Sequence, residues 1–431
     1  MRKYRIFLIV SALLMLTIAM LGCTNSSSGS SEKEEGDKIQ LSFFHRFADG
    51  ANKQYFDSVV KEFEKQNPNV KIKISSAIND DYKQKINVLL GSSNPPDIFF
   101  AWSGEYAQKF VRGGKALDLT QYTKEGTELS KQVVTSQFGP YTFNEKVYGV
   151  PIIMDGKAFF YNKEIFKKLN LEVPATWNDF IGTLKIIKEN NITPIAFGNQ
   201  SNWAVGHYLT TLNQRIVDPT VLKNDYDRSK GEFTNQGYVD ALNKIQELEP
   251  YFTQEPNAVT DDSAINAFVN GKAAIYYNQF NQIPYIKPAK FEWSWFNFPG
   301  IEVGKGDPKE LTGASQGFMV SSKTRNPDMA IKFLNFLTSK NEAEKMVKET
   351  GMVSSSIGAV NENSADDKMI EVVETINQAT GMNVWLDTAL DSKIVDVYLN
   401  GAQQMMNKEK TAEEVMKEVQ NAAKKVREST E

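Results

Sequence analysis

The stretch VYGVPIIMDGKAFFYNKEIF, residues 147–166, reads as a buried strand for most of its length, yet it carries Asp155 in the middle of the apolar run. An ionised carboxylate inside an apolar core is costly unless it is paired or faces water or a ligand. Asp155 therefore marks either a solvated bend or one wall of a site. Phe159 and Phe160, which follow it, read as strand core, and Tyr161-Asn162 starts the next helix.

Upstream, residues 39–44 (IQLSFF) read as a strand. Phe56, Val59, Val60 and Phe63 recur at helical spacing over 52–66, and Pro68 stops that helix. A strand at 70–75, a helix over 81–90, a Pro95-Pro96 break and a buried strand at 97–102 repeat the alternation, which implies right-handed crossovers and a mostly parallel sheet. Downstream, Thr176 is placed to cap a helix bearing Trp177, Phe180, Ile181, Leu184 and Ile187, with Asp179 at the capping-box position. A strand at 193–198, helical segments near 203–215, 235–248 and 261–270, and a strand at 273–278 form a second lobe. Short strands around Trp293 and Trp295, a loop to Gly313, a strand GFMVS and a helix over 327–339 come next, and the chain from about Asn341 reads as helical.

The length, 431 residues with 41% hydrophobic content, suits two or three compact units. The chain opens MRKYR, continues with an apolar-rich run from Ile6 to Leu21, and reaches Cys23, its only cysteine, in MLGC. That run is short for a spanning helix and suits a secretory signal. MLGC resembles a bacterial lipobox, which makes Cys23 a lipidation site, residues 1–22 a signal peptide and residues 23–38 a flexible tether of Ser, Gly and charged side chains. The body is then held at the outer face of the bacterial membrane. Removing Arg2, Lys3 and Arg5 takes the formal charge from −4 to about −7, which disfavours nucleic acid as a partner.

Two histidines, His45 and His207, and no second cysteine argue against zinc clusters and thiol catalysis. No nucleophile elbow, zincin helix, phosphate loop or dinucleotide fingerprint is present. A glycosidase-type carboxylate pair has no fixed spacing and stays open among 53 acidic residues. Aromatic residues carry more information. The six tryptophans include Trp102, Trp203 and Trp385 in segments that also hold Asp, Asn, His or Gln. A sugar offers apolar C–H faces and a rim of hydroxyls, and such mixed clusters match it. Trp177, Trp293 and Trp295 read as core.

Taken together, residues 95–120, 147–166 with PATWNDF, FVNGKAAIYYN (268–278), NPDMAIKFLNFL (326–337) and 411–426 resemble the family 1 extracellular solute-binding proteins of sugar ABC importers, the maltose-binding-protein type. The resemblance implies a two-lobed α/β fold with the ligand in the cleft, an N-lobe of 39–153 with 279–338, and a C-lobe of 154–278 with 339–431. It places the first crossing near Met154 to Tyr161 and the return near Ala274 to Asn278. It implies a monomer without cofactor, metal or catalytic residue, which closes on a carbohydrate (an oligosaccharide) and docks on separate permease subunits. The implied contacts are His45 and Arg46 after the first strand, Trp102 and Ser103, Asp155, Trp203 and His207, Tyr277 and Asn278, Gln316, and Trp385 with Asp387. His45 reads equally as a solvated loop histidine. Two rivals stand beside this reading: a surface lipoprotein glycoside hydrolase using Asp155 and Asp387, and a binder of a non-sugar solute.

Overall fold

The computed structural model describes residues 38–430; the signal-like segment, Cys23 and most of the tether lie outside the described residues. The chain first builds β1 (Ile39–His45), α1 (Gly50–Gln66), β2 (Val70–Ser76), α2 (Asn79–Gly91), β3 (Ile98–Trp102), α3 (Glu105–Arg112) and β4 (Gly149–Ile153). It then crosses to β5 (Lys157–Asn162), α4 (Trp177–Glu189), β6 (Thr193–Ala196), α5 (Trp203–Ile216), α6 (Gln236–Leu248), α7 (Asp261–Val269), β7 (Ala273–Gln279) and β8 (Trp293–Phe296). It returns through β9 (Gln316–Val320), α8 (Pro327–Thr338) and α9 (Lys340–Thr350). The end of the chain is α10 (Asp367–Gln378), a short α11 (Leu386–Ala389), α12 (Ser392–Met406) and α13 (Ala412–Glu428).

Two sheets result. The first has the order β2-β1-β3-β9-β4, with β1 parallel to β2 and β3, and β9 antiparallel to both its neighbours. The second has the order β8-β5-β7-β6 and is mixed. Period-two alternation explains why both faces of the second sheet are covered. Phe159 and Tyr277 point into the larger core with Trp177, Phe180 and Leu212, whereas Phe160 and Tyr276 join a smaller cluster with Phe268, Phe280 and Val372. Helix α4 shows how local sequence supports this packing. The Thr176 side chain accepts from the Asp179 N–H and so satisfies one of the unpaired donors at the helix start. Trp177, Phe180, Leu184 and Ile187 are then fully buried, each contributing roughly 1.5–3 kcal/mol.

Three segments connect the lobes side by side. Gly156 bridges Gly313, and Ile153 bridges Ser354 with the Met154 N–H on the Val353 carbonyl at 3.0 Å. A Cβ at Gly313 would lie 2.2 Å from the Asp155 carbonyl oxygen, so only glycine lets these crossings touch. The first crossing lies at Met154 to Gly156, and Lys157 to Tyr161 already belong to β5 of the second sheet. The return is not where the resemblance placed it. Ala274 to Asn278 lies inside β7 in the second sheet, and Trp293–Phe296 pairs with β5 instead of joining the first lobe. The return runs through 312–315. The third crossing comes after α9, which packs on α1 of the first lobe, and not at residue 339. Trp293 and Trp295 share one face as alternation requires, but on an edge strand they stay half-exposed, with the Lys368 ammonium 5.5 and 4.9 Å from their ring centres. Among the described residues no helix is long and apolar enough to cross a membrane, and no group of His, Cys, Asp and Glu is arranged to hold a metal ion.

Candidate functional site

Asp155 sits at the first crossing and is fully buried. Its Oδ1 accepts from the backbone N–H of Gly156 at 3.0 Å and of Asn281 at 3.3 Å, and its Oδ2 lies 3.5 Å from Gln316 Nε2. Gln316 Oε1 in turn accepts from Arg46 Nη2 at 2.9 Å, and Arg46 Nη1 donates to Asn79 Oδ1 at 3.3 Å. Gln316 reaches both neighbours because a register shift between Gln316 and Gly317 re-aims the start of β9. The Arg46 guanidinium lies 4.7, 5.2 and 5.6 Å from the ring centres of Phe47, Phe100 and Trp102. Burial pushes Asp155 up to about 7, against the Asn281 N–H and the Arg46 charge, and burial lowers Arg46 to about 10. The buried carboxylate thus belongs to a network that joins the lobes at the hinge.

A second network spans the lips of the lobes. Trp102, at the carboxyl end of β3 where open α/β sheets place ligands, meets Tyr106 edge-to-face at 5.2 Å and has the Lys83 ammonium 5.1 Å from its ring centre. Lys83, on α2 of the first lobe, donates to Asp387 Oδ2 of the second lobe at 3.1 Å. Asp387 Oδ1 lies 3.9 Å from His207 Nε2, and the His207 ring sits 4.7 Å from Trp385 and 5.0 Å from Trp203. The other His207 nitrogen, Nδ1, is 2.7 Å from Lys157 Nζ. Burial, then the neighbouring Lys157, holds His207 well below the usual imidazole range. With the ring neutral and Nδ1 facing the ammonium, its proton belongs on Nε2, toward Asp387. Burial also lowers Lys157 to about 7, with Asp261, Asp155 and Asp387 opposing.

The lobes are in contact here. A Cβ at Gly104, whose φ is +75°, would lie 3.0 Å from the Thr388 carbonyl oxygen and 3.1 Å from Val384 Cγ1. Around this junction lie buried polar atoms without a hydrogen-bond partner: Ser103 Oγ and Tyr106 Oη from the first lobe, Trp385 Nε1 and Asp387 Oδ1 from the second, with Arg46 Nε beyond Trp102. Buried donors and acceptors of folded proteins are nearly always paired; unpaired atoms such as Tyr208 Oη and Asn335 Oδ1 also occur inside the lobes, but those at the contact between the lobes are placed where a ligand can supply the partner. Hydroxyl-type groups, an indole N–H and a carboxylate facing aromatic rings can hold a polyhydroxylated ring. They include no nucleophile–base pair.

The structure brings Arg46, Trp102, Asp155, Trp203, His207, Gln316, Trp385 and Asp387 to these two connected networks, and Ser103, next to Trp102 in the chain, is buried. Three sequence-derived candidates sit elsewhere or beneath. His45 is the last residue of β1, not a loop residue. It is fully buried, its ring 4.9 Å from Phe43 and from Phe56, its Nδ1 accepts the Phe47 N–H at 3.2 Å, and burial drives its pKa to about 3. Alternation from Phe43 sets it against Phe56 of α1, and its ring is packed among Phe43, Phe47 and Phe56 in the first-lobe core. Tyr277 lies in the second-lobe core under Lys157, its hydroxyl 2.8 Å from Thr211 Oγ1. Asn278 spends its amide on Asp261, at 3.0 and 3.1 Å, and on the Gln279 N–H, so it orders Asp261 and does not face the junction. Sequence reading missed Lys83, Tyr106 and Lys157. Lys157 carries a signal, since a residue two after Asp155 on an extended chain shares its face; Lys83 carries none.

Comparison with known proteins agrees with this architecture. The profile of the bacterial extracellular solute-binding protein family matches residues 48–344. The multiple sugar-binding protein of Streptococcus mutans is 27% identical over 348 residues, 77% of this chain and 78% of its own length. A solved structure from work on xylan utilization by the thermophilic bacterium Caldanaerobius polysaccharolyticus superposes with a TM-score of 0.81 at 28% identity, covering 89% of this chain and 99% of the other. A chitin oligosaccharide binding protein has the same fold, with a TM-score of 0.81 at 21% identity over 91% of this chain and 100% of its own. With two lobes, three adjacent crossings and a polar, aromatic junction between them, the chain belongs to the bacterial extracellular solute-binding protein family.

Proposed function

We propose that this protein captures a carbohydrate, an oligosaccharide of a few rings, between its lobes and presents it to the membrane subunits of an ABC importer while tethered to the outer face of the cell membrane through Cys23. One observation carries the choice of ligand: the unpartnered Tyr106 Oη of the first lobe and Trp385 Nε1 and Asp387 Oδ1 of the second lie in the network of Trp102, Lys83, His207 and Trp385. The set contains donors, acceptors and flat apolar faces, the three demands of a sugar ring. A polyamine would require an excess of carboxylates, whereas here Lys83, Lys157 and Arg46 stand against Asp387, Asp261 and Asp155. The relatives whose names mention multiple sugars and chitin oligosaccharides support the same ligand class.

Binding follows from closure. Sugar hydroxyls satisfy the unpaired groups only when both lobes contribute, so ligand favours the closed state over the open one by that difference. No bond is made or broken. A thermal-shift panel of xylo-, chito-, malto- and raffinose-type sugars tests the reading: one class raises the melting temperature, its stabilisation growing with the logarithm of concentration to a few kcal/mol at large excess over Kd, and is recovered unchanged. A panel that moves nothing, or that yields hydrolysis products, overturns it.

A further inference from the structure

Tyr285 is an aromatic side chain left in solvent at the rim of the junction. It stands on the helical turn Ile283–Ile286, whose end residues Ile283 and Ile286 are fully buried, yet it is 56% exposed and its hydroxyl makes no hydrogen bond among the described residues. The turn is held in place. Asn281, four residues before Tyr285, donates its N–H to Asp155, and the ring of Pro284 packs on Gly351, where a Cβ would lie 2.6 Å away. The charges nearest the phenol come from both lobes, Arg46 and Asp49 from the first and Asp262 from the second; burial of its base and then the two carboxylates raise its pKa. An exposed ring fixed at its base, flanked by solvated carboxylates and continuous with the buried site through Arg46, has the makeup of a further sugar position.

We propose that Tyr285, with Asp49 and Asp262 around it, forms an outer subsite that stacks on a ring of an oligosaccharide projecting from the closed junction. The proposal rests on the carbohydrate reading above. It sets the ligand class as a chain that leaves the cleft on this side, so that affinity grows with length until a ring reaches Tyr285.

Calorimetric titration of wild type, Tyr285→Ala and Tyr285→Phe with xylo- and chito-oligosaccharides and with maltodextrins, each from monomer to hexamer, tests this. Tyr285→Ala is expected to lose about ten-fold in affinity for the longer members of the bound series, to bind the shortest members as wild type does, and Tyr285→Phe to behave as wild type throughout. Equal loss at every length, or loss at none, overturns the subsite and leaves the carbohydrate reading standing. Wild type that binds no member of any series removes both, and that result appears before any substitution is made.

Discussion

Replacing Lys83 by Met should weaken ligand binding by roughly five- to thirty-fold without unfolding either lobe. The side chain keeps its apolar length over Trp102 and loses only the ammonium, which lies 3.1 Å from Asp387 across the lobes. At an effective dielectric of about 20 the gross attraction at that distance is about 5 kcal/mol. Desolvation takes back most of it, because the two side chains are only 28% and 10% exposed. A net of about 1–2 kcal/mol remains, above the range of fully exposed pairs. That energy exists only while the lobes touch, so its loss depletes the closed population and raises the apparent Kd in proportion. The pair is also one of several across the lips. Lys109 and Arg112 on α3 feel Asp391, and Lys83 feels Asp396, on α12 and its capping residue; Glu105 and Arg228 neutralise part of this set through Arg112 and Asp391. Closure on an uncharged sugar should therefore weaken as salt rises, although the ligand has no charge to screen. Calorimetry of wild type, Lys83→Met, Asp387→Asn and the double variant, at low and high salt, measures the coupling directly. A Lys83→Met protein with unchanged affinity and the same salt response as wild type would refute the argument.

Other consequences are as specific. Folded His45 takes up its proton only near pH 3, against about 6.5 when unfolded, so wild-type stability is lost as pH falls through that window. His45→Phe cannot titrate, and its melting temperature should match wild type at pH 7.5 and exceed it at pH 4.5, where the histidine costs about 2–3 kcal/mol; parallel pH profiles would contradict this. Trp385→Phe keeps the ring beside His207 and removes an unpaired buried N–H, so it should leave the ligand-free melting temperature unchanged or higher and cost about ten-fold in affinity. Trp385→Ala, at a site 2% exposed, should instead destabilise the fold by about 3–5 kcal/mol and confuse the assay. Gly104→Val would drive a side chain into Thr388 and Val384. Small-angle scattering of that variant with saturating sugar should show a larger radius of gyration than ligand-bound wild type, and equal radii would count against contact at this point.

Residues 147–166 displayed part of what mattered locally: their strand character and the helix start at Tyr161-Asn162 follow from residue type, and Asp155 stood out by its cost, whereas the crossing between β4 and β5 was implied only by the family resemblance. Helix α4 with its Thr176 cap was legible for the same reason. Failures came where the deciding partner lies far along the chain. Lys83 and Asp387 are 304 residues apart, and nothing near Lys83 distinguishes it from a solvated helix lysine. The pairing of Trp293–Phe296 with β5, and not with the first sheet, is a tertiary choice that a short apolar run leaves open. His45 was misread because a polar residue followed by Arg46 resembles a loop, while the alternation from Phe43 that continues β1 through it was the stronger signal.

The central claim is that a sugar lies between Ser103 and Tyr106 on one side and Trp385 and Asp387 on the other. A crystal structure of the protein with the oligosaccharide selected by thermal shift tests it most directly. The account predicts ring hydroxyls within hydrogen-bond distance of Trp385 Nε1 and Asp387 Oδ1, and of Ser103 Oγ or Tyr106 Oη, with Lys83 still on Asp387. A sugar bound outside this junction, or seated there with those atoms still unpartnered, would contradict it.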